Sequence, residues 1–164
     1  RGLPPGFFAV VVQLQSLSEV PFRFFIVIEP LPVSVLLIPQ QLEEFDVEDA
    51  VSRMLDRPEL WWQALGLFVT HFCDWASGWQ ASIGDDALER RRVHAVRSAA
   101  SNVGAMRLAD AAGQLETSLQ RRLAGEDSAV DAALRDSLRQ AFSAAWCSAD
   151  TAWRTAGGEI PEAP

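Results

Sequence analysis

His94-Ala95-Val96-Arg97-Ser98-Ala99-Ala100-Ser101-Asn102-Val103-Gly104-Ala105 is part of an amphipathic helical stretch. On a 3.6-residue period, Val93, Val96, Ala100 and Val103 fall on one apolar stripe, while Arg90, Arg91, Arg97, Ser98 and Ser101 line the face around His94. The pattern predicts an imidazole that faces water. A histidine ringed by arginines and small residues suits a chemical handle that another protein must reach. The ordinary alternative is a solvated surface histidine.

Outward from this stretch the chain reads as helix from Glu44 onward, rich in Ala and Leu. A short first helix is predicted over about Val47 to Leu55. Asp56 then offers an N-cap, with Pro58 in the first turn and Glu59 three residues on. The helix that follows is predicted to run to about Gln80, with Trp61, Leu65, Phe68, Phe72, Trp75 and Trp79 on its buried side. Gly84 breaks the chain, and Asp86 with Glu89 restarts it as the His94 helix. A fourth helix is expected over about Ala105 to Leu123. Gly125-Glu126-Asp127 then turns into a fifth, over about Ser128 to Arg154. Short connections between long helices imply antiparallel neighbours. The expected fold is therefore all-α, an antiparallel up-and-down four-helix bundle with a short leading helix, occupying residues 44–156, with a flexible tail over 157–164.

Residues 1–40 differ in kind. They hold four charges (Arg1, Glu19, Arg23, Glu29) and six of the nine prolines. Phe7 to Leu14, Phe22 to Ile28 and Val33 to Ile38 are β-branched and aromatic runs broken by proline, which read as strands or extended chain. None has the roughly 20 uninterrupted apolar residues of a membrane span. Nor is there the basic start, apolar block and small-residue cleavage site of a signal peptide. This stretch is an apolar, proline-rich segment or linker without an assigned role. A start at Arg1 rather than Met makes a piece of a longer protein the expectation.

The formal net charge of −8 argues against nucleic acid as the main partner, because phosphate binding wants a basic face. Within that acidic chain Arg90, Arg91, Arg92 and Arg97 cluster around His94, and Arg121-Arg122 end the next helix. An acidic partner surface is implied. Cys73 and Cys147 stand far apart and outside any metal-ligand spacing, so they read as reduced core or near-core thiols of a cytoplasmic protein. His71 and Cys73 alone could not close a zinc site. His71 reads as structural or surface, and Asp85, Asp86 and Asp110 as caps and surface charges. No phosphate-cradling glycine loop and no kinase nucleotide-binding motif is present, so the chain cannot phosphorylate a histidine from ATP.

The segment resembles the histidine phosphotransfer (HPt) domain family of bacterial phosphorelays. That family's pattern has Gly-Ala ten and eleven positions after its histidine, where Gly104 and Ala105 stand, preceded by Asn102-Val103. Leu108, Ala111 and the Leu115-Glu116 pair follow at the family's spacing. Upstream, Phe45-Asp46-Val47-Glu48-Asp49-Ala50, Asp56, Leu60 and Leu67-Phe68 are similar to its entry and second helices. The resemblance covers about residues 45–123 in register, and the last helix more loosely. Three positions depart from the pattern. Val96 replaces leucine, Arg97 replaces lysine with a bulkier planar cation, and Ser98 replaces the glycine whose missing side chain lets a receiver domain approach.

The resemblance implies that His94 accepts a phosphoryl group from a receiver-domain aspartate and passes it to another receiver. It implies Arg97, Ser98 and Ser101 as support for that group, and Arg90, Arg91, Val93, Val96, Gly104 and Ala105 as framing or underlying the docking surface. It implies no cofactor or metal held by the chain itself, with magnesium supplied by the receiver. A hybrid sensor kinase or multidomain regulator is the implied parent. Two other functions fit the residues. One is a pseudo-HPt bundle that binds a receiver or kinase without carrying phosphate, which Ser98 favours. The other is a purely structural bundle used for oligomerisation.

Overall fold

The computed structural model describes residues 38–126 and 129–158. All but residues 38–40 of the expected extended segment, and all but Gly157 and Gly158 of the expected tail, lie outside the described residues. Six helices are described: α1 (Val47–Arg53), α2 (Pro58–His71), α3 (Trp75–Ser82), α4 (Asp86–Val103), α5 (Met106–Leu123) and α6 (Ala132–Thr155). Among the described residues an isolated bridge between Leu42 and Phe45 is the sole β feature. The all-helical expectation holds for them.

The helix ends follow local chemistry. Asp46 caps α1, its carboxylate accepting from the Asp49 amide at 3.0 Å. Asp56 does not cap α2 as expected. It and Leu55 both take left-handed backbone, with φ of 53° and 61°, so the cap position passes to Arg57, which makes no side-chain cap bond. Pro58 still opens α2, where its missing N–H is no loss.

The single helix expected to reach Gln80 is two helices. Thr70 Oγ1 donates back to the Gly66 and Leu67 carbonyls, and Cys73 Sγ donates to the Thr70 carbonyl. Such local bonds compete with the helical ladder and bend it. The turn at 72–74 lets Trp75 stack on Trp79 at 5.2 Å and pack on Phe142 at 4.6 Å.

The start of α4 is capped by Asp85, whose carboxylate accepts from the Leu88 amide at 3.0 Å. Its end is a double turn-back at Gly104. The Ala105 amide donates to Ala100 at 2.9 Å and the Gly104 amide to Ser101 at 3.4 Å, with Gly104 at φ 86°. The last helix begins four residues later than expected, where Asp131 caps α6 through the Ala133 amide at 2.9 Å.

Pairwise contacts fix the helix directions. Across α4 and α5, Asp86 meets Arg122, His94 meets Glu116 and Arg97 meets Glu116. As one number rises the other falls or holds, so the two helices run antiparallel. Across α2–α3 and α4, Trp61 donates to Val103, Trp75 to Arg92 and Trp79 to Glu89, again antiparallel. Trp62 packs on Trp153 and Trp146 donates to Val69, which sets α6 antiparallel to α2. It follows that α5 and α6, which also pack together, are antiparallel too. Trp61, Trp75 and Trp79 bury their rings while their N–H groups find a facing helix, so each of them both fills and tethers the core.

The core gathers Trp61, Leu65, Trp79, Val93, Val96, Ala100, Leu108, Leu115, Leu119 and Leu138 from five helices. The stripe expected on α4 is buried throughout. Glu89 is buried with it, at 0% exposure. Arg135 grips its carboxylate with two bonds of 2.9 and 2.8 Å, and Trp79 Nε1 adds a third at 3.3 Å. The Glu89 hydrogen bonds push the Arg135 guanidinium above its ordinary pKa, as a hydrogen-bonded anion should. Cys73 and Cys147 are both exposed, which corrects their reading as core thiols. Cys73 sits in the turn after α2. Cys147 lies on the outside of α6, whose inward face is Leu138, Ala141, Phe142, Ala145 and Ala149. His71 and Asp110 are exposed. No described helix is long and apolar enough to cross a membrane.

Candidate functional site

Helix α4 carries His94 opposite its buried stripe. The stripe sets the rotation of the helix, because Val93, Val96 and Ala100 are fully buried and His94 follows Val93 by 100°. The imidazole side chain is 45% exposed. It is neither enclosed by the core nor loose in water.

Glu116 on α5 holds it. Glu116 Oε1 lies 2.9 Å from His94 Nδ1, and Oε2 accepts from Arg97 NH1 at 3.0 Å. The carboxylate is only 9% exposed while its two partners are about half exposed. A carboxylate paired with arginine can only accept, so Nδ1 donates to it, and in the neutral ring the lone pair lies on Nε2. Nε2 makes no hydrogen bond among the described residues. The ring is thus tied at one nitrogen and open at the other, which is what a nucleophilic imidazole needs.

The sequence explains why Glu116 faces His94. Two antiparallel helices joined through Gly104-Ala105 must fold back about that point, so a residue ten before the turn meets one ten or eleven after it. The turn itself requires glycine. A Cβ on Gly104 would lie 2.5 Å from the Asp46 carbonyl oxygen and 3.1 Å from Ala50, where the start of α1 seats against the hairpin.

The other expected site residues divide by position. Arg97 is exposed and adjoins His94 through Glu116. Ser98 and Ser101 are half-buried on the same helix, and their hydroxyls make no hydrogen bond among the described residues. Arg91 is exposed and Arg90 half-buried. Val93, Val96, Gly104 and Ala105 are all buried, so they can underlie a docking surface but cannot touch a partner. Glu116 had been quoted only as part of a spacing. The fold-back register was the signal that could have placed it beside His94. Among the described residues no group of three or more His, Cys, Asp or Glu side chains is placed to hold a metal ion.

The site is a half-exposed histidine oriented by a carboxylate on a helical hairpin. Residues 80–145 match the family model of the Hpt domain, which supports an Hpt domain over that part of the chain. The match takes in the end of α3, all of α4 and α5, and the first part of α6. No match was found among curated proteins or among solved structures. An Hpt domain implies a part in phosphorelay signalling, where such domains interact with response-regulator receiver domains.

Proposed function

We propose that this chain is a phosphorelay intermediate in which His94 Nε2 accepts a phosphoryl group from a receiver-domain aspartate and delivers it to a second receiver. The observation that carries the reading is the hold on His94: Nδ1 bonded to Glu116 at 2.9 Å with Nε2 left open. In the forward step the Nε2 lone pair forms the N–P bond as the aspartyl O–P bond breaks, and the receiver's carboxylate leaves with the electron pair. The ring gains positive charge, and Glu116 lies where that charge develops. Arg97 is within reach to neutralise the phosphoryl oxygens, with Ser98 and Ser101 as further donors. Magnesium comes from the receiver, as phosphoryl transfer requires. The chain is a shuttle and needs no nucleotide.

The same reading takes α2, α4, α5 and α6 as an up-and-down four-helix bundle with α1 as its leading helix. The antiparallel pairings support it. A pseudo-HPt adaptor is the second reading, favoured by the Ser98 side chain, half-buried one turn beyond His94 where the family has glycine. Transfer from a radiolabelled receiver, run beside His94→Gln, separates the two. Acid-labile, base-stable label on the wild type alone supports the shuttle. Binding without label from a broad receiver panel supports the adaptor.

A further inference from the structure

Arg97 stands three residues after His94, yet its charge is already met on α5. Its NH1 donates to Glu116 Oε2 at 3.0 Å. Its Nε and Cζ would lie 3.4 and 3.6 Å from a Cβ on Gly113, so the bare glycine lets the side chain lie across α5. Glu116 and Arg97 together carry no net charge. A phosphoryl group on Nε2 brings about two negative charges and places them beside the Glu116 carboxylate. The Glu116–Arg97 pair leaves that added charge unanswered.

Uncompensated cations stand one turn earlier on α4. Of the twelve arginines among the described residues, nine hold an ion pair with a carboxylate, and Arg90, Arg91 and Arg92 do not. Arg92 turns to α3, where its NH1 lies 2.6 Å from the place of a Gly78 Cβ. Arg90 is half-buried and Arg91 exposed. They precede His94 by four and three residues, the spacing at which helix side chains are neighbours, with Cβ atoms about 5–6 Å apart. Side chains on a helix lean toward its N-terminus, so the His94 ring projects over the turn that carries both arginines. With Nδ1 held on Glu116 at 2.9 Å, Nε2 is the ring nitrogen left to meet them. The other charges along this seam are closed on each other: Asp86 on Arg122 at 2.8 Å, and Glu89 in the core on Arg135 at 2.8 Å.

We propose that Arg90 and Arg91 hold the phosphoryl oxygens of phospho-His94. Arg90 lies on the flank of Arg97, seven residues before it, and approaches from the α5 side of the ring, while Arg91 approaches from the open side. Each guanidinium offers paired N–H donors that match two phosphoryl oxygens, and their two charges balance those of the group. Unpaired before transfer, they also draw an anionic phosphoryl donor toward Nε2. The inference rests on the phosphorelay reading for the existence of phospho-His94, and it places these two arginines on the reacting group itself.

The test uses the full chain and phosphoramidate, a small donor that needs no docked protein. The Nε2 lone pair forms the N–P bond as the donor's P–N bond breaks, and the protonated donor nitrogen leaves as ammonia with the electron pair. Phosphorus NMR then follows phospho-His94 through a pH titration. Guanidiniums in contact favour the doubly charged phosphoryl group and lower its pKa. Arg90→Gln with Arg91→Gln should raise that value by about half a unit or more and slow labelling about fivefold. Arg90→Lys with Arg91→Lys keeps both charges and should bring labelling back to within about twofold of wild type. Arg107→Gln, exposed at the other end of α4 and α5, is the charge control and should move neither reading. A double glutamine variant that matches wild type in both readings overturns the arginine contacts and leaves the phosphorelay reading standing. Slower labelling with the phosphoryl pKa unmoved and no rescue by the lysines marks a structural effect and overturns them too. No label on wild-type His94 overturns both.

Discussion

Replacing Glu116 with alanine removes the group that holds both His94 and Arg97. Two charge-assisted hydrogen bonds, of 2.9 and 3.0 Å, are lost. Such bonds contribute about 1.5–3 kcal/mol each where water is excluded. Here the carboxylate is nearly buried but its partners are about half exposed, so the low end applies. Only the His94 bond acts directly on the nucleophile. A loss of about 1.5–2 kcal/mol in transition-state stabilisation corresponds to transfer about 10- to 30-fold slower. Glu116→Gln keeps an acceptor for Nδ1 and should slow transfer only about threefold, a deficit of about 0.7 kcal/mol. Stability should fall by about 1.5–3 kcal/mol in Glu116→Ala and by less in Glu116→Gln, and the domain should stay folded because the freed histidine and arginine remain solvated. Rapid-quench transfer from a phosphorylated receiver gives the rate, and urea unfolding gives the stability. Glu116→Ala transferring within twofold of wild type, with the fold intact, would refute the orienting role.

Further outcomes follow from the same contacts. Arg135→Met strands Glu89 at 0% exposure, and unfolding free energy should fall by about 3–5 kcal/mol; a calorimetric midpoint within a few degrees of wild type would contradict the buried ion pair. Gly104→Ala meets both the left-handed φ and the Asp46 carbonyl, so it should cost about 2 kcal/mol or more. Gly125→Ala, at φ 83° with open space around it, should cost only about 1 kcal/mol, and equal losses in chemical denaturation would remove the role given to the α1 contact. Arg97→Glu should slow transfer without unfolding the domain, and wild-type rates would take Arg97 out of the mechanism. Glu59 is held below its ordinary pKa of 4.5 by its backbone hydrogen bond in the first turn of α2 and then by Arg57. A carboxyl with a depressed folded value stabilises above its unfolded pKa and loses that contribution as pH falls through the folded one. Glu59→Gln should therefore flatten the acid limb of a stability profile below about pH 4.5, and an unchanged limb would contradict the pairing.

What the sequence revealed was periodic or punctuated. The stripe Val93, Val96, Ala100 and Val103 set the rotation of α4 and so exposed His94, while the tryptophans of α2 and α3 marked the buried side. Pro58 and the turn at Gly104 mark boundaries that local chemistry enforces. What it hid depends on tertiary contacts or on bonds with no fixed spacing. Glu89 reads as a helix-start residue, yet Arg135, 46 residues away, draws it into the core. The break at 72–74 comes from Thr70 and Cys73 bonding to backbone carbonyls, and neither residue type demands a break by itself. Asp56 has the composition of a cap but sits in left-handed backbone. Glu116 was within reach of reasoning, since reflecting His94 through Gly104-Ala105 lands on Leu115-Glu116, and the apolar member of that pair must face the core.

The central claim is that His94 carries the phosphoryl group on the nitrogen that Glu116 leaves open. NMR of the phosphorylated chain with ¹⁵N-labelled histidine, read for coupling to ³¹P, tests it most directly. The result expected is a single phosphohistidine at His94, coupled through Nε2, with Nδ1 still protonated. Phosphorus on Nδ1, on His71 or on no histidine at all would contradict it.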